Sequence, residues 1–324
     1  MTAWEKALEA IREAGDVVLF LHRRPDGDSV GSNLAMALAL LRMGKAVKIV
    51  SQDPVPPYLQ GLPGADLIRA PQGEPETFSL ALALDCADKE RTGMALPWLE
   101  GAKRVVNVDH HSSNTLFGHI NVVDPAASAT GELVYRLLTD LEVPLDGAMA
   151  KNLYVAILTD TGSFSFSNTT PWAHRIAAHL LEMGVRPAEV AEEVFGSRSE
   201  AGLRLWGRAI GRLQREGEGR LVWSYLSQED FQELGVDAAE GEGIAQELRR
   251  LEGVEGAFFF REEAPGLWRV SLRSRGLLNV AELASLFGGG GHPRAAGLTW
   301  QGTLEEGSRK LLAEALRLLA EVKS

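Results

Sequence analysis

The chain is short of several things, and each shortage narrows what it can be. It has one cysteine, Cys86, in 324 residues, so no internal disulfide can form and the expected compartment is the reducing cytoplasm. No apolar run approaches the ~20 residues that a membrane span needs. The opening stretch MTAWEKALEAIREAG is an amphipathic helix pattern without signal-peptide character. Basic residues are outnumbered: 33 Lys and Arg against 44 Asp and Glu leave a formal charge of −11. Non-specific binding of long duplex nucleic acid needs many Lys/Arg–phosphate contacts, so that class is disfavoured. A small anionic substrate held by a local positive site is still compatible with this charge. Internal repeats and low-complexity tracts are lacking too. At 45% hydrophobic and 24% charged, the composition is that of a soluble globular protein, and the length predicts about two domains.

What is present is concentrated first in Leu21 to Ser32, LHRRPDGDSVGS. The apolar run before it, Asp16 to Leu21, reads as a buried strand. His22, Asp26 and Asp28 follow within seven residues, in a loop that Pro25 and Gly27 keep out of helix and strand. Ser29 to Met43 is then an Ala/Leu-rich helix, with Asp28 or Ser29 placed to cap it and Gly44 to stop it. An imidazole and two carboxylates therefore sit at the carboxyl end of a strand, beside a helix N-terminus, where open α/β sheets bind ligands. Asp26 and Asp28 are two apart, so in an extended loop their side chains diverge and could serve two different ions. Alone, Pro-Asp-Gly-Asp-Ser is equally ordinary turn material.

Strand and helix patterns then alternate. Strands are expected at 46–50, 78–84, 102–108 and around 121–123, and helices at about 130–140, 147–159 and 171–183. This rhythm predicts an α/β fold whose N-terminal part is a mostly parallel sheet flanked by helices. Composition shifts at 195–219, FGSRSEAGLRLWGRAIGRLQREGEG, which is charged, closed by Gly-Glu-Gly, and reads as a linker. Domains are thus expected at 1–194 and 220–324, the second a smaller mixed α/β unit. It should hold a strand at 220–226, helices at 228–234 and around 243–251, and a hairpin of 256–261 with 268–272. A short helix at 280–287, the loop GGGGHPRAAG (288–297), a strand at 298–300 and a closing helix at 304–322 complete it.

Three strand ends in the first domain carry the same kinds of group: His22, Asp26 and Asp28; then Asp85; then Asp109, His110 and His111. Asp160 follows an apolar helix in Thr-Asp-Thr-Gly. Oxygen and imidazole ligands without thiolate point to a hard or borderline divalent cation. At least four carboxylates and two imidazoles exceed what one octahedron with open water positions would use, so two ions fit better than one. Paired ions clamp the attacking and leaving oxygens of a phosphoryl displacement. Taken singly, Asp85 or Asp160 can cap a turn, and adjacent histidines can be incidental; the joint pattern carries the reading.

In order, these residues resemble the motifs of the DHH phosphoesterase superfamily: His22-x-x-Pro25-Asp26-x-Asp28-Ser29, Asp85-x-Ala87-Asp88, Asp109-His110-His111 and Thr159-Asp160-Thr161-Gly162. The stretch Gly288 to Gly297 is similar to the signature of the DHH-associated C-terminal domain, so the resemblance runs from Phe20 to Gly297. It implies two Mn2+ ions, with Mg2+ or Co2+ as substitutes. His22 and Asp26 would hold one, Asp28, His110 and Asp160 the other, and Asp85 would bridge them. His111 would face the substrate phosphate, Asp109 would orient the histidine pair, and a water activated by the two cations would be the nucleophile. On the substrate side, the backbone of Gly289, Gly290 and Gly291 would approach an anion closely, with His292, Arg294, Arg273 and Arg275 adding charge. A flexible connector with a few surface arginines would look the same in sequence.

Among family members, the size and the HxxPDxDSxGS form resemble the short enzymes that hydrolyse RNA oligonucleotides to mononucleotides. Those enzymes also remove the 3′-phosphate of 3′-phosphoadenosine-5′-phosphate (pAp). The longer exonucleases of the family carry domains that this chain lacks, and family II pyrophosphatases lack this Gly-rich loop. The implied partners are short RNA and small nucleotides such as pAp, with no long duplex and no membrane; a homodimer is left open. Two other readings stand beside this one: a cyclic- or linear-dinucleotide phosphodiesterase, and a non-catalytic nucleotide-binding regulator. The complete ligand set speaks against the last.

Overall fold

The computed structural model describes residues 1–196 and 199–321, in two units, Met1–Ser197 and Arg198–Ser324. The first unit opens with α1 (Ala3–Glu13), where Thr2 and Glu5 cap each other's backbone N–H. Then come β1 (Asp16–Phe20), α2 (Gly27–Arg42), β2 (Ala46–Val50), β3 (Ile68–Arg69), β4 (Leu80–Leu84) and α3 (Leu96–Glu100). β5 (Val105–Asp109), β6 (Ile120–Val123), α4 (Thr130–Asp140), α5 (Gly147–Asp160), α6 (Pro171–Glu182) and α7 (Pro187–Phe195) complete it.

All six strands pair in parallel, in the order β3-β2-β1-β4-β5-β6. β1, β4 and β5 are apolar almost throughout because both faces of the sheet are covered. Val17 and Leu19 pack with Leu34 of α2 and Leu153 of α5, while Val18 and Phe20 pack with Trp98 and Leu99 of α3. From β1 the chain moves outward through β2 to β3, then returns to lay β4 on the other side of β1. The carboxyl ends of β1 and β4 therefore flank a topological switch point, the crevice where such sheets take ligands.

α2 starts two residues before the expected Ser29, and its cap is neither Asp28 nor Ser29. Asp26 caps it, with Oδ1 accepting the Ser29 N–H at 3.0 Å. Asp26 and Asp28 still diverge, but because one is the cap and the other lies inside the first turn. α2 and α5 approach closely through glycines. A Cβ on Gly31 would meet the Asn152 carbonyl oxygen at 2.4 Å, and one on Gly27 would meet the Thr159 hydroxyl at 2.4 Å. That second contact brings the carboxyl end of α5, with Asp160, to the start of α2.

The second unit comprises α8 (Glu200–Gly211), β7 (Gln214–Glu216), β8 (Leu221–Leu226), α9 (Gln228–Leu234), α10 (Ile244–Leu248), β9 (Gly256–Ala264) and β10 (Leu267–Ser274). α11 (Val280–Ser285), β11 (Gly290–His292), β12 (Ala295–Gln301) and α12 (Leu304–Glu321) follow. Its sheet is mixed, ordered β11-β12-β10-β9-β8-β7, with only β8 and β9 in parallel. One face packs on α11 and α12 through Phe258, Phe260, Val270, Leu283 and Leu311. The other packs on α8 and α10 through Val222, Phe259, Leu205 and Ile244.

Most of the stretch expected as a linker, 195–219, belongs to this unit. Leu205 and Ala209 of α8 are fully buried in its core, and β7 is an edge strand of its sheet. The charge that suggested a linker is partly absorbed by Asp230, which accepts from Arg208 at 3.1 Å and Arg212 at 2.8 Å. Residues 197 and 198 of that stretch lie outside the described residues. The helix expected around 243–251 shortens to the five residues of α10. Among the described residues, no helix is long and apolar enough to cross a membrane.

Candidate metal centre

The four segments singled out in the first unit converge on the β1/β4 switch point. His22, Asp26 and Asp28 follow β1; Asp85 follows β4; Asp109 ends β5, with His110 and His111 next; Asp160 ends α5. Ligand atoms of His22, Asp26 and Asp85 lie within 4.8 Å of one another, and so do those of Asp28, His110 and Asp160. Asp85 adjoins both groups. Its Oδ2 is 3.4 Å from His22 Nε2, and its Oδ1 is 3.8 Å from His110 Nε2. A third group joins Asp85, Asp109 and His111.

The backbone at Asp85 is itself unusual. Its φ of +61° lies in the left-handed region, which costs a non-glycine residue of order 1–3 kcal/mol. The surroundings hold it there: Asp85 N–H donates to the Val108 carbonyl at 3.0 Å, and Asn107 Nδ2 donates to the carbonyls of Ala83 and Cys86 on either side. Strain of this kind, held in place by its surroundings, clusters at functional sites.

The residues fit divalent cations. His22 Nδ1 lies 2.9 Å from the Arg23 carbonyl and His110 Nδ1 3.3 Å from the Ala127 carbonyl. A carbonyl only accepts, so each Nδ1 is the donor and each Nε2 is left to face the carboxylates. This is the arrangement in which a ligating histidine is fixed through its other ring nitrogen. His22 Nε2 is buried with no hydrogen-bond partner, as a ligand atom would be.

The charges agree with this. Burial alone would depress the pKa of His22, but Asp26 and Asp85 outweigh it and raise it to about 10. His110 is raised to about 9 against its burial by Asp160, Asp28 and Asp85. Burial, then Asp85 and Asp160, push the Asp28 carboxyl well above its usual range. Burial raises Asp160 to about 7 despite the pull of His110. So many crowded carboxylates repel one another, and cations in the two groups would relieve that repulsion.

Asp109 is fully buried and accepts from His111 Nδ1 at 2.8 Å and Asn114 Nδ2 at 2.6 Å. It thus fixes the ring of His111. Several supporting residues escaped the sequence reading. Asp28 accepts from the Thr130 N–H at 2.6 Å, the Gly131 N–H at 2.9 Å and the Ser32 hydroxyl at 2.9 Å. The amino end of α4 therefore points its unpaired N–H groups at this carboxylate. Thr130 Oγ1 donates to Asp85 Oδ1 at 3.0 Å, and Asn168 Nδ2 reaches Asp160 Oδ2 at 3.3 Å. The only signal for Thr130 in sequence is a small-residue run, Ala126 to Gly131, heading a helix. Asp88, the last residue of the second motif, caps the next turn by accepting from Arg91 N–H at 2.9 Å.

The residues expected on the substrate side lie in the second unit, and they divide. Gly290, Gly291 and His292 form β11 against β12, and Arg273 is paired with Ala295 in the ladder. The Arg294 guanidinium lies against Gly276, 3.0 Å from where a Cβ would sit. Two others are already engaged elsewhere. The Gly289 N–H donates to the Ala284 carbonyl at the end of α11. A glycine is needed there because a Cβ would meet the Gly297 carbonyl oxygen at 2.4 Å. Arg275 donates to the carbonyls of Arg249, Arg250 and Leu251 at 3.0–3.2 Å, closing the end of α10. It serves as a helix cap, not as a neighbour of Arg273.

Carboxylates and imidazoles gathered over a parallel switch point, with no thiolate among them, make a metal-dependent phosphoesterase centre. The chain belongs to the DHH family: residues 16–157 match the DHH family, N-terminal domain, and residues 219–321 match the DHHA1 domain. It is 35% identical over 320 residues to the bifunctional oligoribonuclease and PAP phosphatase NrnA of Thermus thermophilus, covering 97% of this chain and 94% of that protein. It is 27% identical to the protein of the same description from Bacillus subtilis, covering 87% and 88%. A crystal structure of an exopolyphosphatase-related protein from Bacteroides fragilis shares the fold, with a TM-score of 0.90 over 99% of this chain and 98% of that one at 24% identity.

Proposed function

We propose that this chain hydrolyses short RNA oligonucleotides to mononucleotides and removes the 3′-phosphate of pAp, using two Mn2+ ions. The observation that carries the chemistry is the pair of neighbouring ligand groups, with Asp85 in one and beside the other; the substrates come from the likeness to the NrnA proteins over nearly the whole chain. His22 and Asp26 would hold one cation, Asp28, His110 and Asp160 the other, and Asp85 both. Bound there, the two cations supply charge neutralisation and a lowered pKa for water. Mg2+ or Co2+ would suit the same oxygen and imidazole donors.

The side chains have separate tasks. The Nδ1 of His111 is committed to Asp109, so its Nε2 is the atom that can donate to a phosphate oxygen. Its pKa is raised against burial by that same Asp109 and by Asp85, which favours the protonated ring that such donation requires. Asp28 is locked by three donors and cannot swing away. Arg273, His292 and Arg294 in the second unit would hold the nucleotide. The first unit cuts and the second recognises.

The test offers the purified chain with Mn2+ four substrates side by side: pAp, a dinucleotide, a long single-stranded RNA and a cyclic dinucleotide. Turnover is expected to be highest on pAp and the dinucleotide and to fall with RNA length. Fastest turnover on the cyclic dinucleotide would move the assignment to a cyclic-dinucleotide phosphodiesterase. Comparable turnover on the 2-mer and the long strand would make it a processive exonuclease.

A further inference from the structure

Alternate residues of β10 divide between the two faces of the second sheet. Trp268, Val270 and Leu272 are buried in the core with α12. Arg269, Ser271 and Arg273 are half-buried on the opposite face. On that face the helices α8 and α10 cover β8 and β9, whereas β10 and β12 border open cavities. One, of about 20 Å3, lies between β10 and the start of α10 and is lined by Arg269, Ser271 and Arg273 together with Arg261 and Glu242, the latter two paired with each other. A second, of about 280 Å3, is lined by Arg269 with Gly288, Gly290, Gly297 and Thr299. Arg269 is the side chain common to both, and its Nη2 lies 3.9 Å from where a Cβ on Gly297 would sit.

The charge around Arg269 is out of balance. In the ladder it stands directly opposite Arg261, and like charges in that position repel. Arg261 is compensated: it donates to Glu242 at 3.0 Å, Glu263 at 3.2 Å and the Ala238 carbonyl at 2.9 Å. Among the described residues, no hydrogen bond or ion pair holds the Arg269 guanidinium. An arginine facing another arginine, unpaired, between two cavities and over a glycine that leaves room, is a site for an anion brought by a ligand.

We infer that Arg269 binds a second phosphate of the substrate, distinct from the one that is cut. This rests on the nucleotide reading above and deepens it. Arg273 and Arg269 are four residues apart on one strand, about 13–14 Å of backbone, so they can grip different groups of one nucleotide, with the Ser271 hydroxyl between them. The preferred substrates are then those carrying one phosphate beyond the scissile one: pAp, or a dinucleotide with a 5′-phosphate.

The experiment compares wild type with Arg269→Gln and Arg269→Lys in the full chain. The readout is the ratio of kcat/KM for a 5′-phosphorylated dinucleotide to that for the same dinucleotide without the phosphate. Loss of one charge-assisted phosphate contact should lower this ratio about 10- to 100-fold in the Gln variant, mainly through KM, with partial recovery in the Lys variant. An unchanged ratio overturns the assignment. Because Gln relieves the repulsion from Arg261, its ligand-free melting temperature should match or exceed that of wild type; a clear drop would mean that Arg269 is structural. If wild type cleaves neither dinucleotide, the proposed function fails instead. Calorimetric binding of adenosine 3′,5′-bisphosphate and adenosine 5′-monophosphate then decides the subsite, and equal affinities in wild type and the Gln variant overturn it.

Discussion

Asp85 belongs to one ligand group and adjoins the other, so its replacement tests the metal centre without reference to catalysis. A cation that binds only the folded state stabilises it by about 2.7 kcal/mol at a hundredfold excess over Kd. For a unit of this size that is roughly 5–11 °C per site, at about 2–4 °C per kcal/mol. Two sites should therefore move the first unit's calorimetric transition by about 10 °C or more between chelator and Mn2+. Asp85→Asn keeps the shape but removes the charge from both groups, 3.4 Å from His22 and 3.8 Å from His110, and most of the increment should vanish. Asp88→Ala is the control. It removes a cap on the following turn, at a cost of about 1 kcal/mol in baseline stability, and should keep the increment. The increment also carries a sign in pH. His22 and His110, raised to about 10 and about 9, lend the metal-free fold stability that is full below the ordinary imidazole value near 6.5 and is lost as pH rises through 9–10. A cation must displace those same protons, so its increment should grow from pH 6 to pH 9. An Mn2+ increment in Asp85→Asn equal to that of wild type would refute the shared-ligand arrangement.

Two further changes probe the scaffold. Gly31→Ala places a Cβ 2.4 Å from the Asn152 carbonyl oxygen; overpacking costs about 1–3 kcal/mol, more than the ~1 kcal/mol gained in helix propensity, so thermal unfolding should show a lower transition, and an unchanged or higher one would mean that α2 and α5 can separate there at no cost. In the second unit, Asp230 is held at about 2 because its bonds to Arg212, Ser227 and Arg208 outweigh burial. A depressed carboxylate contributes stability that is present above about pH 4 and lost as pH falls towards 2, here about 2 kcal/mol; Asp230→Asn should melt lower at pH 7 and flatten that acid loss, which denaturant titration at pH 7, 4 and 2.5 would detect.

The candidate metal centre was legible because all its residues but Asp160 sit at strand ends, and strand ends are the best-marked points of a parallel α/β chain. Leu21, Leu84 and Val108 are the last apolar residues before His22, Asp85 and Asp109, and hydrophobic runs locate them directly. What sequence could not show depends on contacts between distant segments. Thr130 and Gly131 serve Asp28 across a separation of more than 100 residues, and nothing local to Thr130 marks it. The cap of α2 was misplaced because Asp26, Asp28 and Ser29 are all good caps; the fold chose Asp26, which leaves Asp28 to face α4. The linker reading failed for a related reason. α8 has a charged exposed side and only a narrow apolar stripe, Leu205 and Ala209, and composition averages the two. Arg275 looked like a partner of Arg273 in Ser-Leu-Arg-Ser-Arg, but the strand ends at Ser274, and the next arginine turns away to cap α10.

The same accounting bears on substrate length. An acidic protein can hold a nucleotide only where arginines are left over from the fold, and in the second unit most are not. Arg208 and Arg212 serve Asp230, Arg261 serves Glu242 and Glu263, Arg250 serves Glu247, Arg317 serves Glu314 and Glu321, and Arg275 serves backbone carbonyls. Along β10 and the turn before β12 stand Arg269, Arg294 and Arg273, the last with only a bond to the adjacent Leu272 carbonyl. Three cations suffice for a mononucleotide bisphosphate or a dinucleotide. They do not make the continuous basic track along which proteins hold a long single strand. The short-substrate preference proposed above would then follow from how the second unit's arginines are distributed between structure and ligand.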